Sequence, residues 1–489
     1  MLLCGAVILA LWAPLLLLYR RALFAPDAAS LLLSPLALRL AFSSLVLCGA
    51  TAVLATLLGV PLGFLIARGP RRLRALVAAL TALPLGVPAV LAAAPFFSLG
   101  GPENTPLFAC AAALTLVYFP IVAFGTAAAL AALPASEEEA ARALCHSIGA
   151  WSGVLGRRIW PAIIAAAGVV AALTLWEMGA PDLLSYPTLS SEIYRQLNSP
   201  TALGDPNARA ALTAWPIPLM ALLFLWPALR IASHWSAPSS EPNPARSSGL
   251  LVWAPLLLVS PGFLIWRFAR ELDDPRAIYD TLGANTDALW NTLVVATLAA
   301  TICVVLALAL CLAWRQWPAR WRRGALALTL APGLWAPVVI GVALIEAFNR
   351  PLTGAFYDGA LGMTVWGDCA RFLPLAIAIV WGAVARLPAE ALWAAAGLGA
   401  PPLRVALNVA LPLLRNAIAG AWGLVWAWSA GELTVTVLVH GPGGDTLPIP
   451  IFNFLHAGIA SDVAALCLLL MALCGGAMVL AFGVLRRGG

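Results

Sequence analysis

The chain has 489 residues, 62% apolar and only 10% charged, with a formal net charge of +6 and a mean hydropathy of +0.93. Stretches of roughly 18 or more apolar residues recur along it, which excludes a single soluble core and marks a polytopic membrane protein. Every one of the 28 basic residues is arginine. Without a lysine the chain has no Walker A phosphate loop and no orthodox ATP site of its own.

Only helices and closed barrels satisfy their backbone groups in lipid, and stretches such as "LVLCGATAVLATLLGVPLGFLIA" (Leu45 to Ala67) show no alternation of period two. The pattern therefore predicts an all-α chain of about twelve spans, at 1–19, 38–67, 75–99, 106–130, 159–180, 211–231, 250–268, 287–314, 325–348, 363–385, 413–439 and 461–485. The first stretch lacks a basic leader and an A-x-A site, so it reads as a span rather than a signal peptide. With both termini cytoplasmic in the cell inner membrane, most arginines fall in inner loops, leaving Arg20, Arg21 and Arg39 as outer exceptions. The nine cysteines lie mostly inside spans without a C-x-x-C pair and read as small core residues.

The two halves repeat in parallel. Phe42 to Pro84 aligns without a gap on Trp290 to Pro332, bringing Arg74 onto Arg322 and Pro84 onto Pro332. Further on, Phe119 to Pro134 answers Leu373 to Pro388. This divides the chain into a first six-span repeat at 1–235, a Pro- and Ser-rich cytoplasmic linker at 236–249, and a second six-span repeat at 250–489.

After each Leu-Pro landmark comes a polar helical stretch: "LPASEEEAARALCHSIGAWSGVLGRRIWP" (Leu133 to Pro161) and "LPAEALWAAAGLGAPPLRVALNVALP" (Leu387 to Pro412). Adjacent Glu137, Glu138 and Glu139 favour a helix N-terminus, alanine extends the helix without bulk, and glycine ends it. Such a segment is either a solvated loop with a good N-cap or a stiff exposed helix that docks on a soluble partner.

These segments resemble the EAA loop of ABC importer permeases, where Glu-Ala-Ala opens a short helix, a glycine ends it about two turns later and a hydrophobic stretch closes on Leu-Pro. Glu139, Ala140 and Ala141 match the opening in the first copy; Gly399 to Pro412 matches the closing in the second. Both depart from the pattern. Cys145 stands at the first copy's expected glycine and Gly149 follows four residues late, while the second copy's expected glutamate is Trp393, before Ala394 and Ala395. The outer stretches "GAP" (Gly179 to Pro181), "SEIY" (Ser191 to Tyr194), "RFLP" (Arg371 to Pro374) and "GPGGDTLPIPIF" (Gly441 to Phe452) resemble the fused iron(III) and thiamine permeases. The resemblance implies a type I importer permease fold, a cytoplasmic ABC ATPase dimer docked on the two segments, a periplasmic solute-binding protein, and iron(III) as first choice of solute, with thiamine, other small cations and phosphonates behind it.

Glu177 and Glu432 end the fifth and eleventh spans, where an ionised carboxylate next to lipid is costly. They are expected on the translocation pathway with Arg371 neutralising one of them; hydration at the outer interface is the open alternative, and Glu346 reads as interfacial. His440, His456, Asp445 and Asp462 read as solvated loop residues, so neither a metal nor a cofactor is expected. No catalytic constellation and no nucleic-acid feature is present, and lipid is the remaining partner. A proton-coupled secondary transporter with Glu177 and Glu432 as proton carriers is the rival reading.

Overall fold

The computed structural model describes residues 1–25, 34–70, 72–100, 105–134, 136–138, 143, 148–198, 205–232, 248–272, 276–359, 361–457 and 460–486. Among these every regular element is helical and no strand occurs. Among the described residues ten helices are long and apolar enough to cross a membrane, or twelve when each of two bent pairs is counted as one span. The all-α polytopic architecture is therefore as the hydropathy demands. The linker at 236–249 falls almost wholly outside the described residues.

The first half contributes α1 (Leu2–Leu23), α2 (Pro35–Arg68), α3 (Arg74–Ala82), α4 (Ala89–Gly100), α5 (Pro106–Ala131), α6 (Ile148–Trp176) and α7 (Pro216–Ala232). The second contributes α8 (Val259–Glu271), α9 (Thr286–Arg315), α10 (Ala319–Leu330), α11 (Pro337–Phe348), α12 (Gly362–Val384), α13 (Ala389–Gly397), α14 (Leu411–Ala430) and α15 (Ala460–Arg486).

The third span of each half, expected at 75–99 and 325–348, is bent. A 3-10 turn at Leu83–Gly86 ends the first arm of one and a 3-10 turn at Ala331–Leu334 the first arm of the other; the chain then bends by 78° before Ala89 and by 99° before Pro337. Each turn holds the aligned proline, Pro84 or Pro332, which has no N–H to continue an α-helix. Aligned prolines thus produce aligned breaks.

Two compact units are present: Met1–Ala28 with Gln196–Leu212 and Asp274–Gly489, and Ala29–Arg195 with Thr213–Asp273. Each sequence half therefore lends its leading span to the unit built on the other half. In the second of these units α2 packs extensively on α5, and the G-x-x-x-G pair Gly59 and Gly63 makes the approach close. A Cβ on Gly59 would stand 2.7 Å from the Phe119 carbonyl oxygen, and one on Gly63 2.5 Å from Cβ of Thr126. Small residues at that spacing let membrane helices meet backbone to backbone. The corresponding pair in the other unit, α9 on α12, uses cysteine instead. The Cys303 and Cys311 thiols lie 3.9 Å from the carbonyl oxygens of Cys369 and Ile377. The described cysteines form no disulfide, and all but Cys369 are buried.

Candidate functional site

The first Leu-Pro segment is anchored inward. Residues 136–138 are helical, with Glu137 exposed and Glu138 buried. Arg68 is the last residue of α2, and its guanidinium donates to Glu138 Oε2 through Nε at 3.1 Å and Nη2 at 2.8 Å. The same Nη2 donates to the carbonyl of Leu130 at 2.8 Å, in the last turn of α5, where Pro134 has no N–H to offer it. Both side chains are at least nine-tenths buried, so the pair is a desolvated ionic clasp rather than a surface contact. Glu137 meets Arg158 at 3.3 Å in an exposed pair. Of the glutamates read as a partner-facing cap, Glu138 faces its own unit and Glu137 is paired at its surface. Glu139, Ala140 and Ala141 lie outside the described residues, and Gly149 lies in the first turn of α6.

In the second segment α13 begins directly after Leu387-Pro388 and stops at Gly397, with Gly399 in the left-handed region at φ 80°. The Ala400 N–H donates to the Ala395 carbonyl at 3.3 Å, the six-to-one bond of a Schellman ending. Only glycine takes that backbone conformation without strain, which is why the helix stops there. Trp393 is 74% exposed and Leu398 89%, and Leu403 is also exposed, while Ala394 is exposed and Ala395 half-buried. Arg315 ends α9 as Arg68 ends α2. It donates to the carbonyls of Val384 at 2.7 Å and Leu387 at 2.8 Å. Leu130 and Val384 occupy the same register in the aligned repeats, so one device closes both spans. The difference is that Leu392 stands where the first copy has Glu138. An apolar side chain offers a guanidinium no acceptor, so Arg315 takes a second backbone oxygen instead of a carboxylate.

At the opposite ends of α6 and α14 the two carboxylates are built alike. Glu177 follows α6; its Oε1 accepts the Gly179 N–H at 3.1 Å and its Oε2 the Tyr118 hydroxyl at 3.4 Å. Glu432 follows α14; its Oε1 accepts the Val435 N–H at 2.8 Å and its Oε2 is ion-paired with Arg371 of α12. Each glutamate turns the chain at the helix end and is met by a side chain from the preceding span. Glu432 is 3% exposed and Glu177 half-buried, so the structure brings Arg371 to the more desolvated of the two.

One group escaped the sequence reading, and a second lies deeper than it was read. Asp368, one turn before Arg371 on α12, is fully buried; its Oδ2 accepts the Ser429 hydroxyl, and its Oδ1 has no hydrogen-bond partner among the described residues. The signal was a lone acid in an apolar span, "VWGDCARF". Glu346, read as interfacial, is buried and receives Arg21 at 2.6 Å, Arg350 at 2.8 Å and the Asn207 amide at 3.4 Å. Arg21 also meets Asp205 at 2.5 Å. One of the arginines that broke the charge rule is thus neutralised where it stands. His440 Nε2 lies 3.4 Å from Asp445, and the Asp462 carboxylate accepts the Thr281 hydroxyl at 2.6 Å.

No family profile matches the chain. It is 31% identical over 195 residues to a permease protein named for 2-aminoethylphosphonate transport, PhnV of Salmonella paratyphi A, covering 39% of this chain and 71% of that protein. It is 30% identical over 147 residues to the putrescine transport system permease protein PotI of Escherichia coli, covering 30% and 52% respectively. The spermidine/putrescine transport system permease protein PotC of Escherichia coli is 30% identical over 101 residues, or 21% and 38%. None of these three is an iron(III) or thiamine permease.

Proposed function

The chain belongs to the permease family of ABC importers, and from that premise we propose that it is the transmembrane subunit of a binding-protein-dependent importer with both permease halves fused. A separate cytoplasmic ATPase dimer hydrolyses ATP, and an external solute-binding protein delivers the solute. The observation that carries the coupling role is α13: an exposed helix with Trp393 and Leu398 uncovered, held rigid at its end by Gly399. An exposed tryptophan that fills a pocket on a partner contributes roughly 1.5 to 3 kcal/mol. Trp393→Ala should therefore lower the ATPase recovered with the purified permease while leaving the permease folded. Undiminished ATPase recovery with intact transport would remove α13 from the coupling surface.

For the solute we propose a small amine-bearing compound in place of iron(III), because 2-aminoethylphosphonate, putrescine and spermidine all carry a primary amine. Glu177, Glu432 and Arg371 are proposed to line its route, since buried ionisable groups at span ends serve polar cargo. The reconstituted importer should hydrolyse ATP faster with binding protein loaded with such an amine; stimulation by iron(III)-loaded protein alone would reverse the assignment. The proton-coupled alternative has no support from relatives named as transport-system permeases; it would require uptake driven by a proton gradient without ATP. Both termini are proposed to lie in the cytoplasm. In a cysteine-free background, a cysteine at Leu398 should be labelled only from the cytoplasmic side and one at Pro442 only from outside.

A further inference from the structure

The fifth span of the first half lies tight against its neighbour: a Cβ on Gly168 of α6 would stand 2.1 Å from the Phe224 carbonyl oxygen of α7. The fifth span of the second half is also packed on its neighbour, with Cys474 Sγ of α15 lying 3.4 Å from the Ala427 carbonyl oxygen of α14. There α9, α14 and α15 leave an apolar groove of about 800 Å³ along α14, floored by Trp422 and Trp426, with Gly476 of α15 on its wall and Arg415 at one end.

Its chemistry selects an occupant. Both indole N–H groups are already used, Trp422 on the Thr301 hydroxyl at 3.2 Å and Trp426 on the Thr297 hydroxyl at 3.1 Å, both on α9. The groove therefore presents ring faces and aliphatic carbon but no free donor along its length, which suits a hydrocarbon chain and not a polar solute. Arg415 is its only charged lining residue. It is exposed and makes no ion pair among the described residues. Arg415 to Trp426 spans eleven residue steps, about 16 Å of helix at 1.5 Å per residue, against about 15 Å for half of a bilayer's hydrocarbon core. The flanking side chains Leu413 and Leu480 are exposed and apolar, as on a face turned to lipid.

We propose that this groove is a binding site for one anionic phospholipid. Its acyl chain lies against Trp422 and Trp426, and its phosphate is held by Arg415, on the membrane side that adjoins the second Leu-Pro segment. A guanidinium matches a phosphate in geometry as well as charge, and a lipid seated along α14 would brace the span that leads directly from that segment.

The test is native mass spectrometry of the full chain after reconstitution in nanodiscs of equal phosphatidylglycerol and phosphatidylethanolamine. The wild type should retain phosphatidylglycerol in preference, and excess inorganic phosphate should not displace it. Gly476→Leu fills the groove without a clash, because a Cβ there meets nothing within 4 Å; it should lower retention of both lipids several-fold. Ala472→Leu, on the same wall, should do likewise. Arg415→Gln should keep a lipid but lose about fivefold of the preference for the anionic one, the effect of one partly solvated ion pair. Unchanged retention in both filled variants, no anionic preference in the wild type, displacement by inorganic phosphate, or a lipid-free dimer of chains would each overturn the assignment.

Discussion

The two Leu-Pro segments start from the same landmark, close on the same landmark and lie beside an arginine at the end of the same kind of span, yet they are secured in different ways. In the first, Arg68 reaches past the Leu130 carbonyl to a buried carboxylate, Glu138. In the second, Arg315 ends its reach on the Leu387 carbonyl, and α13 keeps its shape through Gly399 and its helical bonds. One segment is tied down by a long-range ion pair, and the other is held only by backbone hydrogen bonds and ends on a glycine stop. A repeat can therefore keep an architecture while shifting where its rigidity comes from, and the acid missing from the second copy is compensated locally by a helix stop.

The sharpest way to break this contrast is at the arginines. Arg68→Ala would strand the Glu138 carboxylate in a dry site, which typically costs about 3 to 5 kcal/mol; Arg315→Ala loses only hydrogen bonds to carbonyls, about 1 to 3 kcal/mol. The apparent melting midpoint in detergent should fall further for Arg68→Ala, and the double variant Arg68→Leu with Glu138→Leu should recover most of the loss. Equal shifts for the two arginines would mean that the clasp adds nothing beyond its carbonyl contact.

The outer carboxylates sharpen the same asymmetry with a smaller expected effect. Glu432→Gln leaves Arg371 facing a neutral amide, and because the Arg371 side chain is 23% exposed the penalty should be reduced to about 2 kcal/mol. Glu177→Gln keeps an acceptor for Gly179 and for Tyr118 and should cost under about 1 kcal/mol. Transport by the reconstituted importer should fall more for Glu432→Gln; the opposite order would place the functional carboxylate in the first half.

Gly399→Val tests the locally rigid segment. Nothing crowds the position, so the whole effect is backbone strain, about 1 to 2 kcal/mol for a left-handed residue with a Cβ. Hydrogen exchange at the Leu398 and Ala400 amides should speed up, with Gly399→Asn milder because asparagine tolerates this region. Protection retained in Gly399→Val would show that the ending does not depend on glycine. The smallest effect is expected for Glu137→Ala, whose partner Arg158 is largely exposed. It should change stability by no more than about 1 kcal/mol and vanish at high salt; a salt-resistant loss would mean that this pair is desolvated too.

Much of the fold was legible because it rests on local pattern. The run from Leu45 to Ala67, the aligned Pro84 and Pro332, and the glycine closing α13 each act through neighbours within a few residues, and each appears where the pattern puts it. The bends inside the third spans were not legible in the same way, for a definable reason. A hydropathy window sees apolar carbon on both sides of Pro84 and does not register the missing N–H that lets the chain turn.

The sequence by itself determined a helical, membrane-spanning chain built twice, because hydrophobicity and periodicity are summed over contiguous residues. Tertiary structure alone decided that Glu138 turns inward to Arg68, 70 positions earlier. It likewise decided that Arg371 pairs with Glu432 rather than Glu177, that Asp368 is sealed against Ser429, and that α1 joins the unit of the opposite half. Each of these depends on which helix faces are brought together across tens to hundreds of residues. Where burial makes an unpaired charge costly, the partner is set by that packing and not by spacing along the chain.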